Sequence, residues 1–327
     1  MKMRCELKQT NKQTNKRSSG RVDMRLIEPS VEMLPVPKDE VQALKNLELI
    51  GRVCYKSEDK ITEDSYKKFF LQLKRNGHWS VLEHLTLFWK IHQPNVRIDP
   101  NTFLPMFDYN IQKFINNKYT QVRIYPTVTS RDVTAYITTN ARAIHENFWE
   151  MKYFYYGHPS KYYQRYSFRI ICSRATANEL VRHRNFSFMQ ESTRYCNYSK
   201  DKFNNEITFI KPYWYLCFEK GYHENNRYVF YANNYHKYLS EAEKNYFSMI
   251  KNGFYPQEAR DVLPLATKTE IIMTGFYNDW GDFLNKRCAE LASTGKPHPD
   301  MNIIAEKIKG LLDKEVAEYG SLSELYS

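Results

Sequence analysis

Apolar residues recur along this chain at spacings that predict a series of helices and strands. Val41, Leu44 and Leu47 fall at helical spacing within 39–50, and the residues after them predict a short strand over 52–55. Thr62 reads as an N-cap, with Glu63 and Asp64 suited to the first turn and Phe69, Phe70 and Leu73 as the apolar stripe. Gly77 stands where a C′ glycine stops that helix. Leu85, Leu87, Trp89 and Ile91 then alternate with His84, Thr86, Phe88 and Lys90, a strand pattern that puts His84 and Thr86 on one face.

Residues 93–165 are broken by Pro94, Pro100, Pro105 and Pro126, with a helix expected around 130–150. The tyrosine-rich stretch from Tyr153 to Tyr163 reads as packing. Beyond it, Phe168, Ile170 and Cys172 alternate with polar residues, and a helix runs into Leu180 and Val181. A strand pair is expected over 190–210, turning near 201–205. Helices are expected over 228–252, closed by Gly253, and over 265–287 and 301–318.

The composition narrows the class. At 327 residues, 42% hydrophobic and 26% charged, the chain can bury a real core and is neither collagen-like nor disordered as a whole. Its apolar runs are too short for a membrane span of roughly 20 residues, so no membrane partner is expected. Six scattered cysteines without a C-x-x-C pair fit reduced thiols and a cytoplasmic location. With 11 glycines and no G-x-G, H-E-x-x-H or G-x-S-x-G, a Rossmann loop, a zincin site and a nucleophile elbow are excluded, and no metal is expected.

The formal charge of +11 favours anionic partners. Residues 1–23 carry seven Lys/Arg against two acids around KQTNKQTNK, which predicts a basic disordered tail ahead of Met24 and a body spanning 24–327. Two rival readings of the charge are a nucleic-acid-binding protein and a non-catalytic flavin or nucleotide module. Much of the basic excess lies in the tail and no RRM or helix-turn-helix signature appears, so no nucleic-acid partner is expected.

The densest chemistry is Arg182-His183-Arg184, at the end of an expected helix where the dipole favours cations, followed by Gln190, Glu191, Ser192, Thr193 and Arg194. In an extended chain Gln190, Ser192 and Arg194 share a face. Hydroxyls beside arginine forks suit a phosphate. Ser192 has no base at readable spacing and reads as a ligand-binding hydroxyl. No cysteine sits in a nucleophile motif.

Arg182-His183-Arg184, seven residues, then Ser192 resembles the signature of the flavin-dependent thymidylate synthases. Three further stretches resemble that family in order: 51–57, Gly77-His78-Trp79-Ser80-Val81-Leu82-Glu83-His84, and the pair of blocks 259–264 and 283–287. The resemblance implies an α+β fold: a single catalytic domain with a central mixed or antiparallel sheet flanked by helices. It also implies a homotetramer whose active sites are shared between subunits, with 93–165 as an enlarged insertion. The implied reaction is reductive methylation of dUMP to dTMP, with 5,10-methylenetetrahydrofolate as carbon donor and FAD reduced by NADPH as hydride carrier.

Carried over by position, the resemblance assigns Glu179, Leu180, Arg182, Gln190, Glu191, Ser192, Thr193, Arg194 and Arg260 to dUMP. It assigns Thr86, Arg182, His183, Arg184, Gln190, Asn278 and Asp282 to FAD, and His84 to the flavin and folate side. Arg287 matches the arginine that stabilises ionised uracil N3, the catalytic position. Four residues depart from the family: Cys54 replaces a common Ser, Phe276 and Asn278 replace a common Asn and Arg, and Asp282 replaces Asn or His.

Overall fold

The computed structural model describes residues 25–101, 105–126, 131–157, 160–221, 226–293 and 295–319. The basic segment 1–23 and Met24 lie outside the described residues. In chain order the first elements are β1 (Leu26–Ile27), β2 (Ser30–Met33), α1 (Glu40–Val53), α2 (Ser65–Arg75), α3 (Trp79–Leu82) and β3 (Thr86–Gln93). There follow β4 (Arg97–Ile98), β5 (Pro105–Met106), α4 (Tyr109–Ile115), β6 (Gln121–Pro126), β7 (Val133–Asn140), α5 (Ala141–Glu146), β8 (Arg165–Ser173), α6 (Arg174–Leu180) and β9 (Ser187–Gln190). The last are β10 (Phe209–Ile210), α7 (Tyr213–Glu219), α8 (Asn226–Lys251), α9 (Pro256–Ala259), β11 (Lys268–Phe276), α10 (Tyr277–Arg287) and α11 (Pro299–Tyr319). This is an α+β arrangement of antiparallel sheets flanked by helices, with one short parallel pair, β1 and β10. Among the described residues no helix is long and apolar enough to cross a membrane.

The elements fall into two compact units that alternate along the chain. One comprises residues 25–29, Ser173–Ala175 and Thr193–Lys268. Here β1 pairs with β10 in the register Leu26↔Phe209, and Phe209 packs with Cys196, Tyr198, Ile207, Ala259 and the α8 residues Leu239 and Tyr246. α8 ends as its sequence predicts, at Gly253 with φ +89°.

The other unit comprises Ser30–Cys172, Thr176–Ser192 and 269–319. Its main sheet runs β2-β8-β11-β9, and a second sheet runs β3-β7-β6. On one face of the main sheet, Phe168, Ile170, Ile271 and Met273 pack against Trp280 and Phe283 of α10 and Ile304 and Ile308 of α11. All eight are essentially inaccessible, and each such side chain contributes about 1.5–3 kcal/mol on burial. A second core joins Leu44, Leu47 and Ile50 of α1 to Ile272 and Met189, and continues to Leu87 and Ile137 of the second sheet.

Several local expectations are corrected. Residues 52–55 are not a strand: α1 continues to Val53 because Ile50 and Val53 extend its buried stripe and Arg52 Nε donates to Glu48 Oε1 one turn back, at 2.8 Å. Val41 is exposed. α2 starts at Ser65 rather than after Thr62, with the Thr62 N–H donating to Ser65 Oγ. Gly77 does close α2, at φ +67°, as His78 N–H reaches Leu73 O and Gly77 N–H reaches Lys74 O.

The helix expected at 130–150 is mostly β7, rich in Thr, Val and Ile and paired on both sides by β3 and β6. Only the six-residue α5 follows, capped by Asn140. Residues 190–210 do not pair with each other: β9 joins β11, and β10 joins β1. The helix expected over 265–287 divides into β11 and α10. Thr269, Ile271, Ile272 and Thr274 favour the strand, and the Asp279 carboxylate accepts from Phe276 N–H where the helix begins.

Candidate active site

β8 delivers the chain into α6, which ends at Leu180, and the Arg182-His183-Arg184 turn follows at once. Leu180 is fully buried, which leaves only its backbone to a ligand. Arg182 and Arg184 are exposed, while His183 is half-buried and meets the Phe283 ring edge-on at 4.9 Å. The last turn of α10 brings in Arg287. Its Nε donates to His183 Nε2 at 3.0 Å and its Nη1 to Glu179 Oε2 at 3.1 Å. Burial, then Arg287 and Lys286, push His183 down to about 4, so the ring is neutral at pH 7 with its proton on Nδ1. Arg287, more than a hundred positions further along the chain, thus joins Glu179 and His183 in one polar cluster.

The extended run expected over 190–194 stops at Gln190, and 193–195 form a turn. Gln190 Nε2 donates to Thr269 Oγ1 at 3.1 Å, Glu191 N–H to Glu270 O at 2.8 Å, and Ser192 N–H to Cys54 O at 2.9 Å. Below this segment the buried Glu270 carboxylate takes Lys56 Nζ at 2.9 Å and Arg169 Nε at 2.7 Å. Thr193, Arg194 and Arg260 belong to the other unit. There Arg260 Nη1 approaches the buried Thr193 Oγ1 at 3.4 Å, and Arg194 is exposed, lying over the Tyr195 ring.

His84 lies just before β3 rather than within it, and is buried. Its Nδ1 is 2.7 Å from Thr274 Oγ1, which is itself 2.7 Å from Ser167 Oγ. Burial, then the charge of Arg165, push His84 down to about 3, against a smaller opposing effect of the Phe188 backbone. Thr86 Oγ1 accepts from Arg165 Nη1 at 3.2 Å.

Arg165 is the residue that sequence reasoning missed. It is buried, its Nη1 also donates to Glu83 O, its Nη2 is 3.4 Å from Ser187 Oγ, and its guanidinium lies over the Phe276 ring. No described carboxylate is within ion-pair distance of it, and burial pushes it down to about 10. His84, Thr86 and Phe276 therefore gather around a cation that no motif flagged. The available signal was Arg165, Ser167 and Arg169 alternating with the apolar positions of β8. The adjoining cleft, bordered by Leu34, Leu47, Phe88 and Gln164, holds about 40 Å³. An ordinary ligand pocket holds roughly 300–1,000 Å³.

Asn278 and Asp282 are exposed on α10, and Phe276, just before it, is buried. Arg182 and Arg184 make no ion pair with a described residue, so the turn offers two cations flanking a neutral imidazole. That edge fits an anionic diphosphate such as the one in FAD, whereas Asp282 adds negative charge and Phe276 offers no polar side chain. Cys172, Cys196, Cys217 and Cys288 are buried, and burial pushes the half-buried Cys54 thiol up, away from the reactive thiolate. Among the described residues no group of three or more His, Cys, Asp or Glu could hold a metal ion.

Residues 154–316 match the family model described as thymidylate synthase complementing protein. The flavin-dependent thymidylate synthase of Corynebacterium efficiens is 34% identical over 127 residues, covering 37% of this chain and 48% of its own. That of Pyrococcus furiosus is 33% identical over 121 residues, covering 37% and 45%. That of Synechocystis is 27% identical over 151 residues, covering 42% and 63%. The chain spans about half the length of the first two relatives. The UMP/dUMP methylase PolB of Streptomyces cacaoi, solved with 5-Br dUMP, superposes with a TM-score of 0.40 at 17% identity, covering 89% of this chain and 93% of its own. That likeness is too loose to carry any residue across.

Proposed function

We propose, from the match of residues 154–316 to the family model described as thymidylate synthase complementing protein, that the protein is a flavin-dependent thymidylate synthase. It converts dUMP to dTMP, with 5,10-methylenetetrahydrofolate giving the carbon and NADPH the electrons. The observation that carries this reading is the cluster of Arg287, His183 and Glu179, in which the catalytic arginine is fixed beside the Arg182-His183-Arg184 turn.

Arg287 binds the pyrimidine edge. A guanidinium beside O4 and N3 stabilises the ring after N3 loses its proton, and the added electron density makes C5 a better nucleophile. Neutral His183 accepts from Nε and holds the guanidinium in one orientation. Arg194 and Arg260 bind the phosphate, with Arg260 steadied by Thr193. Gln190, Glu191 and Ser192 line the nucleotide at the end of β9, with Glu179, Leu180 and Arg182 completing its contacts.

FAD would be held by Arg182, His183, Arg184, Thr86, Gln190, Asn278 and Asp282, with His84 on the flavin and folate side. When bound there, the flavin would supply hydride chemistry for reducing the transferred carbon. The buried cysteines and the raised Cys54 thiol favour a reaction without a protein nucleophile. The active form is a cytoplasmic homotetramer with sites shared between subunits, and 93–165 is an enlarged insertion.

The test is anaerobic turnover with dUMP, methylenetetrahydrofolate, FAD and NADPH. Formation of dTMP together with a flavin absorption band on the protein is expected. Absence of bound flavin after reconstitution, with no dTMP formed, would overturn the reading.

A further inference from the structure

The Arg287 cluster has a feature that a pyrimidine site does not require. Glu179, in the last turn of α6, places Oε2 3.1 Å from Arg287 Nη1, while Nε is already held by His183. The pair is only partly buried, with side-chain exposures of 24% for Arg287 and 37% for Glu179, so water can reach the carboxylate and it has a route outward.

A carboxylate and a uracil ring deprotonated at N3 present the same recognition chemistry. Each is planar, carries one delocalised negative charge and offers two adjacent acceptors to a guanidinium. A guanidinium left half-buried without an anion is costly, and a nearby carboxylate removes that cost in the free protein. The same carboxylate, left in place, would repel an ionised ring.

We propose that Glu179 is an internal stand-in for the anionic pyrimidine edge: it occupies Arg287 in the free protein and is exchanged for the ring when the nucleotide binds. This rests on the function proposed above, and it adds that a pyrimidine ring reaches Arg287 only by displacing the site's own carboxylate. Glu179 acts through Arg287 and is a gating residue rather than a catalytic one. The exchange swaps one planar anion for another, so Arg287 stays paired throughout and its orientation on His183 is kept.

The test is Glu179→Gln, which keeps size and shape and removes the charge. Affinities for dUMP and for 5-bromo-dUMP, whose electron-poor ring loses its N3 proton more readily, are compared at pH 8 in wild type and variant. A partly exposed ion pair limits the effect, so the variant should bind 5-bromo-dUMP about two- to fivefold more tightly. The gain for dUMP should be smaller. Acetate, the bare planar anion, should raise the melting temperature of the variant and leave the wild type unchanged. Equal or weaker 5-bromo-dUMP binding in the variant, with no stabilisation by acetate, overturns the proposal. If neither protein binds a nucleotide but acetate stabilises the variant, the exchange at Arg287 stands and the thymidylate synthase reading falls. If both nucleotides bind wild type and variant alike and acetate does nothing, the function stands and the exchange falls.

Discussion

Arg287 and His183, 104 positions apart in the chain, meet through a hydrogen bond of 3.0 Å from the guanidinium Nε to the imidazole Nε2. The contact requires a neutral ring, because a protonated His183 would bring an N–H and a second positive charge against the arginine. His183 should therefore titrate near 4 rather than 6.5, held down by burial first and then by Arg287 and Lys286. Arg287→Ala removes one of these causes, so the midpoint should move upward. NMR titration of the ring reads this directly, and an unchanged midpoint in the variant would remove the contact from the working structure.

His84 ties stability to pH. Its pKa falls from 6.5 to about 3 on folding, so between those values the unfolded chain binds the extra proton. The stabilisation is fully present above pH 6.5 and is lost as pH falls toward 3. From pH 6.5 to 5 the loss should be about 1.5 kcal/mol from this residue. Urea unfolding at pH 7, 6 and 5 measures it. His84→Gln should flatten that part of the profile, and an unaltered slope in the variant would refute the assignment.

The reaction should depend on charge at the pyrimidine rather than on a protein nucleophile. Arg287→Ala is expected to lower turnover by about 10²–10³, the usual effect of one preorganised contact to developing charge. Ser192→Ala and Cys54→Ala should keep measurable turnover, because Ser192 is anchored through its backbone to Cys54 O and burial pushes the Cys54 thiol up. A covalent adduct between dUMP and either side chain, seen by mass spectrometry, would overturn the mechanism.

Glu270 supports the segment that carries Gln190, Glu191 and Ser192. Its carboxylate is buried between Lys56 and Arg169, and its carbonyl accepts from Glu191 N–H. Glu270→Gln keeps the shape but leaves two cations facing a neutral amide. The expected cost is about 3 kcal/mol in denaturant unfolding, with weaker dUMP binding in the folded fraction. Wild-type stability in the variant would mean that the two cations find other partners.

Much of the local structure was legible in the sequence. The Gly77 stop, the alternation of β8, the long α8 closed by Gly253 and the final helix follow from short-range rules. A glycine tolerates positive φ, and a period of two or 3.6 fixes which residues share a face. The resemblance also marked Glu179, His183 and Arg287 as members of one site. The errors fell where those rules are silent. The stretch 265–287 has apolar residues consistent with either period, and only pairing of 268–276 within a sheet made it a strand. β9 and β10 looked like partners because they are near in sequence, yet each found a distant strand.

The turns, the periodicities and the inventory of charged and hydroxyl groups near the site follow from local sequence. Tertiary structure alone decided which of them meet. The alternation along β8 marks its polar positions, but only the folded chain makes Arg165 a buried cation, His84 a neutral histidine and Glu270 a bridge between two cations. Glu179 likewise reads as one more acidic residue on a helix until Arg287 arrives from α10. The physical reason is one of range. Backbone preferences act over a few residues, whereas desolvation and the pairing of charges depend on atoms brought close from anywhere in the chain, and no local pattern encodes that proximity.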